Sequence, residues 1–218
     1  MSTSEVAAGV TAYWDARAPR FNDAASHVRT PDAWQEVLAA AFAADGSKDV
    51  VDLGTGTGAC ALAAAGLGHR VRAYDGSEEM LGVAREAARQ AGLDVRFVHS
   101  LIADASLEPA SADIVTIRNV LWTLERPAEA LEVARRTLRS GGRVVVSDGL
   151  WSVAPGDRSD YTAELAHRLP FHGGLTESDA RELLRSAGFT EATAWQHLFQ
   201  VPPYTGGVPA FVLSAIRV

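Results

Sequence analysis

Residues 50–58 read Val-Val-Asp-Leu-Gly-Thr-Gly-Thr-Gly and run straight into Ala-Cys-Ala-Leu-Ala-Ala-Ala at 59–65. An apolar run of strand length that passes through three alternating glycines into good helix formers leaves few options. It is the strand, turn and helix that open a βαβ unit. Glycine tolerates the left-handed backbone that so tight a turn needs, and it lets a ligand approach the main chain closely. The helix that follows presents unpaired N–H groups and a partial positive charge, so an anionic group belongs at this loop of Gly54, Thr55, Gly56 and Gly58.

The rest of the chain repeats the alternation. Short apolar runs at 49–53, 70–75, 95–98, 112–117 and 143–148 read as buried parallel strands. Helical stripes lie between them: Met80, Leu81, Ala84, Ala88 and Ala91 after Ser77, and Leu131, Ala134 and Leu138 after Pro127, the latter stopped by Gly141 and Gly142. Two helices precede the first strand, one carrying Val6, Val10, Tyr13, Trp14 and Arg17, the other opened by Thr30-Pro31 and carrying Trp34, Val37, Leu38, Ala41 and Phe42. Near the end, Thr176 to Asp179 reads as a capping box, with Ala180, Leu183, Leu184 and Ala187 as the buried stripe and Gly188 as the stop. Strands near 192–200 and 210–217, joined through the turn-rich 201–207, suit an antiparallel pair. The segment 149–174 fits no simple element and is expected to be a functional lid. The division is one domain over 1–218: a helical cap (1–46), a ligand-binding core (47–148), the lid (149–174) and a closing helix and strand pair (175–218).

The second strand ends at Asp75, 23 positions after Asp52, where a carboxylate accepts hydrogen bonds from both hydroxyls of a ribose. Gly54, Gly56 and Ala59 also satisfy the G-x-G-x-x-G/A fingerprint of nicotinamide dinucleotides. These residues alone do not separate that ligand from another adenosine cofactor. Composition narrows the partner instead. With 20 basic and 27 acidic residues the net charge is −7, which opposes nucleic acid and favours a small molecule. No apolar run is long enough to cross a bilayer, and the start, Met-Ser-Thr-Ser-Glu, has no signal-peptide pattern, so the expectation is a cytoplasmic protein without a membrane partner. The lone Cys60 gives neither a disulfide nor a zinc site, and nothing in the sequence specifies an oligomeric state.

The sequence Asp52-Leu-Gly-Thr-Gly-Thr-Gly58, followed by Asp75-Gly-Ser-Glu-Glu-Met-Leu81, resembles motif I and the next acidic motif of the class I S-adenosylmethionine-dependent methyltransferases of small molecules. Further along, 112–115 resembles that family's fourth strand, 118–124 (Arg-Asn-Val-Leu-Trp-Thr-Leu) its following loop, and 135–143 the approach to its fifth strand, so the likeness covers about residues 13–148. It implies a doubly wound, Rossmann-like α/β fold: seven mostly parallel strands, the last reversed, with helices on both faces. It also implies S-adenosylmethionine as cofactor. By resemblance, the loop from Gly54 to Gly58, with Asp52 before it and Arg118 after the fourth strand, holds the methionine half. Asp75 holds the ribose, Gly76 and Met80 lie by ribose and adenine, and Tyr13 closes over the methionine end.

This sequence departs from the family pattern at Leu101, where an adenine-binding acid is common; backbone groups of Leu101 and Ile102 take that role, with Asp104 as a substitute acid. The fourth strand is not followed by Asn/Asp-Pro-Pro-Tyr/Phe, and Pro202-Pro203-Tyr204 lies elsewhere in the chain, which disfavours DNA adenine and glutamine acceptors. No carboxylate follows the fourth strand and no histidines have metal spacing, so no metal is expected. The expected reaction is attack by an O, N or C nucleophile of a small metabolite on the cofactor's methyl group. Its acceptor pocket is assigned to Trp122, Trp151, Tyr161 and Phe171, and a proton acceptor to His172 or, second, His167. Two other readings start from the same residues: an NAD(P)-dependent oxidoreductase and a noncatalytic S-adenosylmethionine-binding protein.

Overall fold

The computed structural model describes residues 1–24, 31–151, 161, 163–204 and 207–218. Its seven strands are β1 (Asp49–Leu53), β2 (Arg70–Asp75), β3 (Val95–His99), β4 (Ala112–Arg118), β5 (Leu138–Gly149), β6 (Thr193–Ala194) and β7 (Ala210–Ile216). They form one sheet in the order β3-β2-β1-β4-β5-β7-β6. The first five are parallel, with Val51 opposite Arg72 on one side and Val115 on the other, and β7 runs antiparallel to both β5 and β6. The doubly wound sheet with a reversed last strand is therefore as the sequence implies.

Both faces are covered, which is why the central strands are near-continuous apolar runs. On one face Val50, Ile114 and Val145 pack against α3 (Pro31–Phe42) and α4 (Ala59–Gly66) through Trp34, Leu38, Ala61 and Ala64. On the other, Val51, Val115 and Val146 meet α6 (Pro127–Thr137) and α8 (Glu177–Ser186) through Leu131, Ala134, Ala180 and Leu184. The helix starts follow their caps: the Ser77 hydroxyl accepts from the Met80 N–H to open α5 (Glu78–Ala91), and Thr176 and Asp179 form the anticipated capping box. The short α2 (Phe21–Ala24) comes between α1 (Thr3–Arg17) and α3, and a third cluster joins α1 to α7 (Ala163–Arg168) through Val6, Tyr161, Leu165 and Leu169. Among the described residues no helix is long and apolar enough to cross a membrane.

Three expectations change in detail. The sixth helix stops at Thr137 rather than at the glycine pair, and Leu138 already pairs with Ala112 as strand. Gly141 and Gly142 serve a bulge of β5 instead, where a Cβ on Gly142 would sit 3.1 Å from the Asp113 carbonyl. The strand expected over 192–200 is two residues long and gives way to a 3₁₀ turn at Gln196–Leu198. There the Trp195 indole donates to Ser214 Oγ at 2.8 Å and Gln196 Oε1 accepts from the Val212 N–H, replacing the ladder with side-chain bonds. Within 149–174 the segment 163–168 is helical, while 152–160 and 162 lie outside the described residues, as do Thr30 and residues 205 and 206 of the expected turn.

Leu131 is fully buried between α6 and the sheet. Leu131→Ala is expected to cost about 2–5 kcal/mol through lost transfer energy and a residual cavity, read as a lower urea midpoint with an unchanged slope. Arg85→Ala removes only an exposed ion pair with Glu78 and should cost below about 1 kcal/mol in the same assay.

Candidate functional site

The strand order reverses between β1 and β4, and in open α/β sheets the crevice beyond the carboxyl ends at that point is where ligands bind. A cleft of about 1020 Å³ opens there. The β1–α4 loop, the end of β2, the loops after β3 and β4, and α1 overhead form its walls. Helix α1 is thus a roof, while α3 of the same expected cap packs on a face of the sheet instead. Asp15 of α1 accepts from the Ser77 hydroxyl at 2.5 Å, which ties the roof to the start of α5.

At one end of the cleft Asp75 organises the glycine loop. Its Oδ2 accepts from the Gly56 N–H at 2.7 Å and its Oδ1 from the Ser77 N–H at 2.8 Å. Burial pushes the Asp75 carboxyl above the ordinary aspartate range, with the negative charges of Asp52 and Asp15 adding to the shift and the two backbone bonds opposing it. Asp52 is raised as well, chiefly by burial, although Thr116 Oγ1 donates to its Oδ1 at 2.6 Å. Its other oxygen, Oδ2, and the Thr55 hydroxyl are buried without a hydrogen-bond partner.

The glycines differ in what they do. Gly54 has φ +71° and a Cβ there would run into the methyls of Val120, so this position is closed to any other residue. Gly56, at φ +55°, faces open space within the cleft. Gly58 does not line the cleft; it caps α4 in the left-handed conformation, packed towards Ala84 and Phe97. Gly76, Met80, Leu101 and Ile102 line the same end, with the Leu101 side chain lying over Gly76. Asp104 is exposed and outside the lining, so it does not stand in for an acid at 101.

The opposite end is aromatic. Arg118 lies between the two ends: its guanidinium stacks 4.5 Å above the Trp34 ring, and its positive charge opposes the upward pKa shifts both of Asp52, beside the glycine loop, and of Tyr204. Asn119 holds φ +58°, a conformation that asparagine tolerates better than most residues. Its carbonyl accepts from Trp122 Nε1 at 3.0 Å, and its Oδ1 accepts from the Tyr204 hydroxyl at 2.8 Å. Trp151 Nε1 donates to Asp148 Oδ1 at 3.1 Å, an oxygen that also accepts from the Gly149 N–H. Asp148 is fully buried with Oδ2 unpartnered, and burial pushes its pKa up to about 8.

Of the residues assigned from sequence, Tyr13, Trp122, Trp151 and His172 line this cleft, together with Arg118 and the loop at the other end. Tyr161 and Phe171 do not. Tyr161 is buried behind Tyr13, ring centroids 4.3 Å apart, and Phe171 packs against the main core. His172 is exposed at the mouth, with Nδ1 3.3 Å from the Leu169 carbonyl. His167 sits on an exposed face of α7, outside the lining. Sequence reasoning missed Trp14, Asn119, Tyr204 and Val208 as lining residues and Asp148 as a support. Asn119 and Asp148 carried a usable signal, a polar residue at the carboxyl end of a central strand; Tyr204 lies 85 positions from Asn119 and carried none.

The family described as Methyltransferase domain matches residues 51–146. Demethylmenaquinone methyltransferase of Clavibacter sepedonicus is 34% identical over 148 residues, covering 67% of this chain and 60% of that protein. Ubiquinone biosynthesis O-methyltransferase of Paraburkholderia phytofirmans is 35% identical over 101 residues, 46% of this chain and 44% of that one. The chain thus spans about half the length of these curated relatives. Among solved structures, Burkholderia thailandensis 1,6-didemethyltoxoflavin-N1-methyltransferase, with 1,6-didemethyltoxoflavin and S-adenosylhomocysteine bound, superposes with a TM-score of 0.72. That match covers 100% of this chain and 91% of the other at 20% identity, and it shows a shared fold.

Asp148 makes stability depend on pH. Between the ordinary aspartate value of 3.8 and about 8 the folded protein holds a proton that the unfolded chain has lost, so this group's contribution falls as pH rises through that window and levels off above it. Asp148→Asn removes the titration. Urea unfolding across the window should show the difference in stability moving steadily in favour of the variant as pH rises, whereas parallel curves would refute the buried protonated acid.

Proposed function

This chain belongs to the class I S-adenosylmethionine-dependent methyltransferase family, and from that membership we propose that it transfers a methyl group to an O, N or C nucleophile of a small molecule. The observation that carries the proposal is one cleft with two unlike ends: a glycine loop organised by Asp75, and an aromatic wall beyond it. The names of the relatives, in menaquinone and ubiquinone biosynthesis, support a small-molecule acceptor. A cytoplasmic setting without nucleic-acid or membrane partners is part of the same proposal, in keeping with the net charge of −7.

S-adenosylmethionine fits the residues present. Asp52 Oδ2 and Thr55 Oγ1 are polar atoms buried without partners beside the glycine loop, a costly arrangement unless a ligand completes it. The cofactor's methionine end carries an ammonium and a carboxylate. Asp52 suits the first; Arg118 and the N–H groups at the start of α4 suit the second. Each oxygen of Asp75 keeps a lone pair beyond its backbone bond, enough for the two ribose hydroxyls. Gly76, Met80, Leu101 and Ile102 form the adenine side, and Gly54 and Gly58 act by shaping the loop.

When bound, S-adenosylmethionine supplies an electrophilic methyl group. The chain's own tasks are to orient and to exclude water. The loop and Asp75 fix the cofactor, Tyr13 and Trp14 on α1 cover the cleft, and Trp122 and Trp151 hold the acceptor. Tyr161 and Phe171 support that wall from behind. His172 takes the acceptor's proton where there is one to lose: with Nδ1–H donated to the Leu169 carbonyl, Nε2 is the basic nitrogen. His167 lies outside the cleft and is left without this role.

Asp75→Ala should weaken S-adenosylmethionine binding by about 1.5–3 kcal/mol, roughly ten- to 150-fold in Kd, because ribose bonds and loop anchor are lost together. Calorimetry checks it, and unchanged affinity in a folded variant would sink the assignment. Gly56→Val, which places a branched side chain in the open cleft at positive φ, should weaken it too. For the acceptor half, His172→Ala is expected to leave cofactor affinity near wild type and to lower turnover about 10²–10⁴-fold. Wild-type turnover in that variant would assign catalysis to orientation alone.

A further inference from the structure

On the methyl-transfer reading, we infer that the cleft holds its cofactor without reading the 6-amino group of the adenine, and that Leu101 is the residue that leaves the amine unread. Analogues of S-adenosylmethionine that lack the amine are therefore bound nearly as tightly as the parent.

The base belongs beside Gly76. Asp75 takes the ribose, and the lining continues from it through Gly76, Met80, Leu101, Ile102 and Ala103. A Cβ on Gly76 would sit 2.7 Å from Leu101 Cδ2 and 3.4 Å from Thr11 Oγ1, so the Leu101 side chain closes one side of this space and the roof another.

An exocyclic amine presents donors, and a site that reads it must offer a fixed acceptor. The side chains of Met80, Leu101, Ile102 and Ala103 offer none. Asp104 is exposed and outside the lining. The acids that do line the cleft are committed elsewhere: Asp75 and Asp52 at the glycine loop, and Glu125 and Glu129 to Arg168 and Arg126 on the connection after β4, two strands across the sheet from β2. Nearby carbonyls are occupied as well. That of Leu101 accepts from the Ser100 hydroxyl at 2.9 Å and the Asp104 N–H at 3.1 Å, and that of Gly76 lies 2.9 Å from His99 Nε2. The Thr11 hydroxyl can donate or accept, so it does not select for an amine.

Donors are free instead. Among the described residues the N–H groups of Leu101, Ile102 and Ala103 have no hydrogen-bond partner. Fixed N–H groups read an unprotonated ring nitrogen, such as N1 of the adenine, and make no use of the amine beside it. Leu101 is 37% exposed and Ala103 is exposed too, so water reaches this edge and hydrates the amine in the complex as it does in solution. Removing the amine then exchanges only water contacts.

Calorimetry on the full chain compares S-adenosylhomocysteine with its 6-deamino analogue, which keeps ring nitrogen N1 as an acceptor, and with its 6-oxo analogue, in which N1 carries a proton. The deamino analogue is expected to bind within about five-fold of the parent, and the oxo analogue about ten-fold or more weakly, because N–H would then face N–H. Leu101→Asp, at an exposed position, supplies the missing acceptor. It should make the deamino analogue at least about ten-fold weaker than S-adenosylhomocysteine, the scale of a hydrogen bond to a charged group. A wild-type loss beyond about five-fold for the deamino analogue, or an oxo analogue bound as tightly as the parent, overturns the inference whether or not the variant folds. A folded Leu101→Asp chain without the new preference takes Leu101 away from the base edge and overturns it too. Failure of S-adenosylhomocysteine itself to bind is a different result, which removes the methyl-transfer reading and the cofactor specificity with it.

Discussion

The Asp75 carboxylate holds the cleft together. One oxygen fixes the Gly56 N–H in the loop after β1, and the other fixes the Ser77 N–H at the start of α5. Ser77 passes the connection to Asp15 on α1. A single side chain at the end of β2 therefore sets the loop, the neighbouring helix and, through it, the roof. The arrangement has an electrostatic cost, because Asp52 and Asp15 add like charge around a carboxyl that burial already disfavours as an anion. A cationic ligand relieves that cost, which is one reason a sulfonium cofactor suits this loop better than a phosphate-rich dinucleotide does.

The aromatic end follows a different rule. Buried indole and phenol groups need partners for their N–H and O–H, and here those partners are the carboxyl ends of the central strands. Asp148 at the end of β5 takes Trp151, and Asn119 after β4 takes both Trp122 and Tyr204. The polar chemistry is spent on orienting the rings. Asp148 is held largely neutral in the process, since a fully buried carboxylate beside only neutral donors would be far more costly than the acid.

Local chemistry explains what was legible in advance. The β1–α4 loop, the helix starts at Ser77 and Thr176, and the five parallel strands each depend on a contiguous run of residues whose spacing carries the signal. The exceptions depend on distant groups. Gly141 and Gly142 look like a helix stop, yet in the fold the Gly141 N–H donates to the Arg217 carbonyl and the Gly142 carbonyl accepts from the Arg217 N–H, which draws them into a bulge of β5. The run 192–200 has strand composition, yet Ser214 and Val212 draw its side chains into bonds that break the ladder after two residues.

By itself, the sequence determined the doubly wound sheet, the glycine loop and the acid at the end of β2, because a parallel strand, a tight turn and a helix cap are each specified within a few consecutive residues. The tertiary structure decided which aromatic residues face the cleft. It turned Phe171 to the core and Tyr161 behind Tyr13, kept His172 at the mouth and His167 outside, and brought Tyr204 across 85 positions to Asn119. The physical reason is that an aromatic side chain gains from burial against a core and against a cleft wall alike, so its type and spacing do not select between them. The choice falls to hydrogen-bond partners and neighbouring rings that only the folded chain brings together.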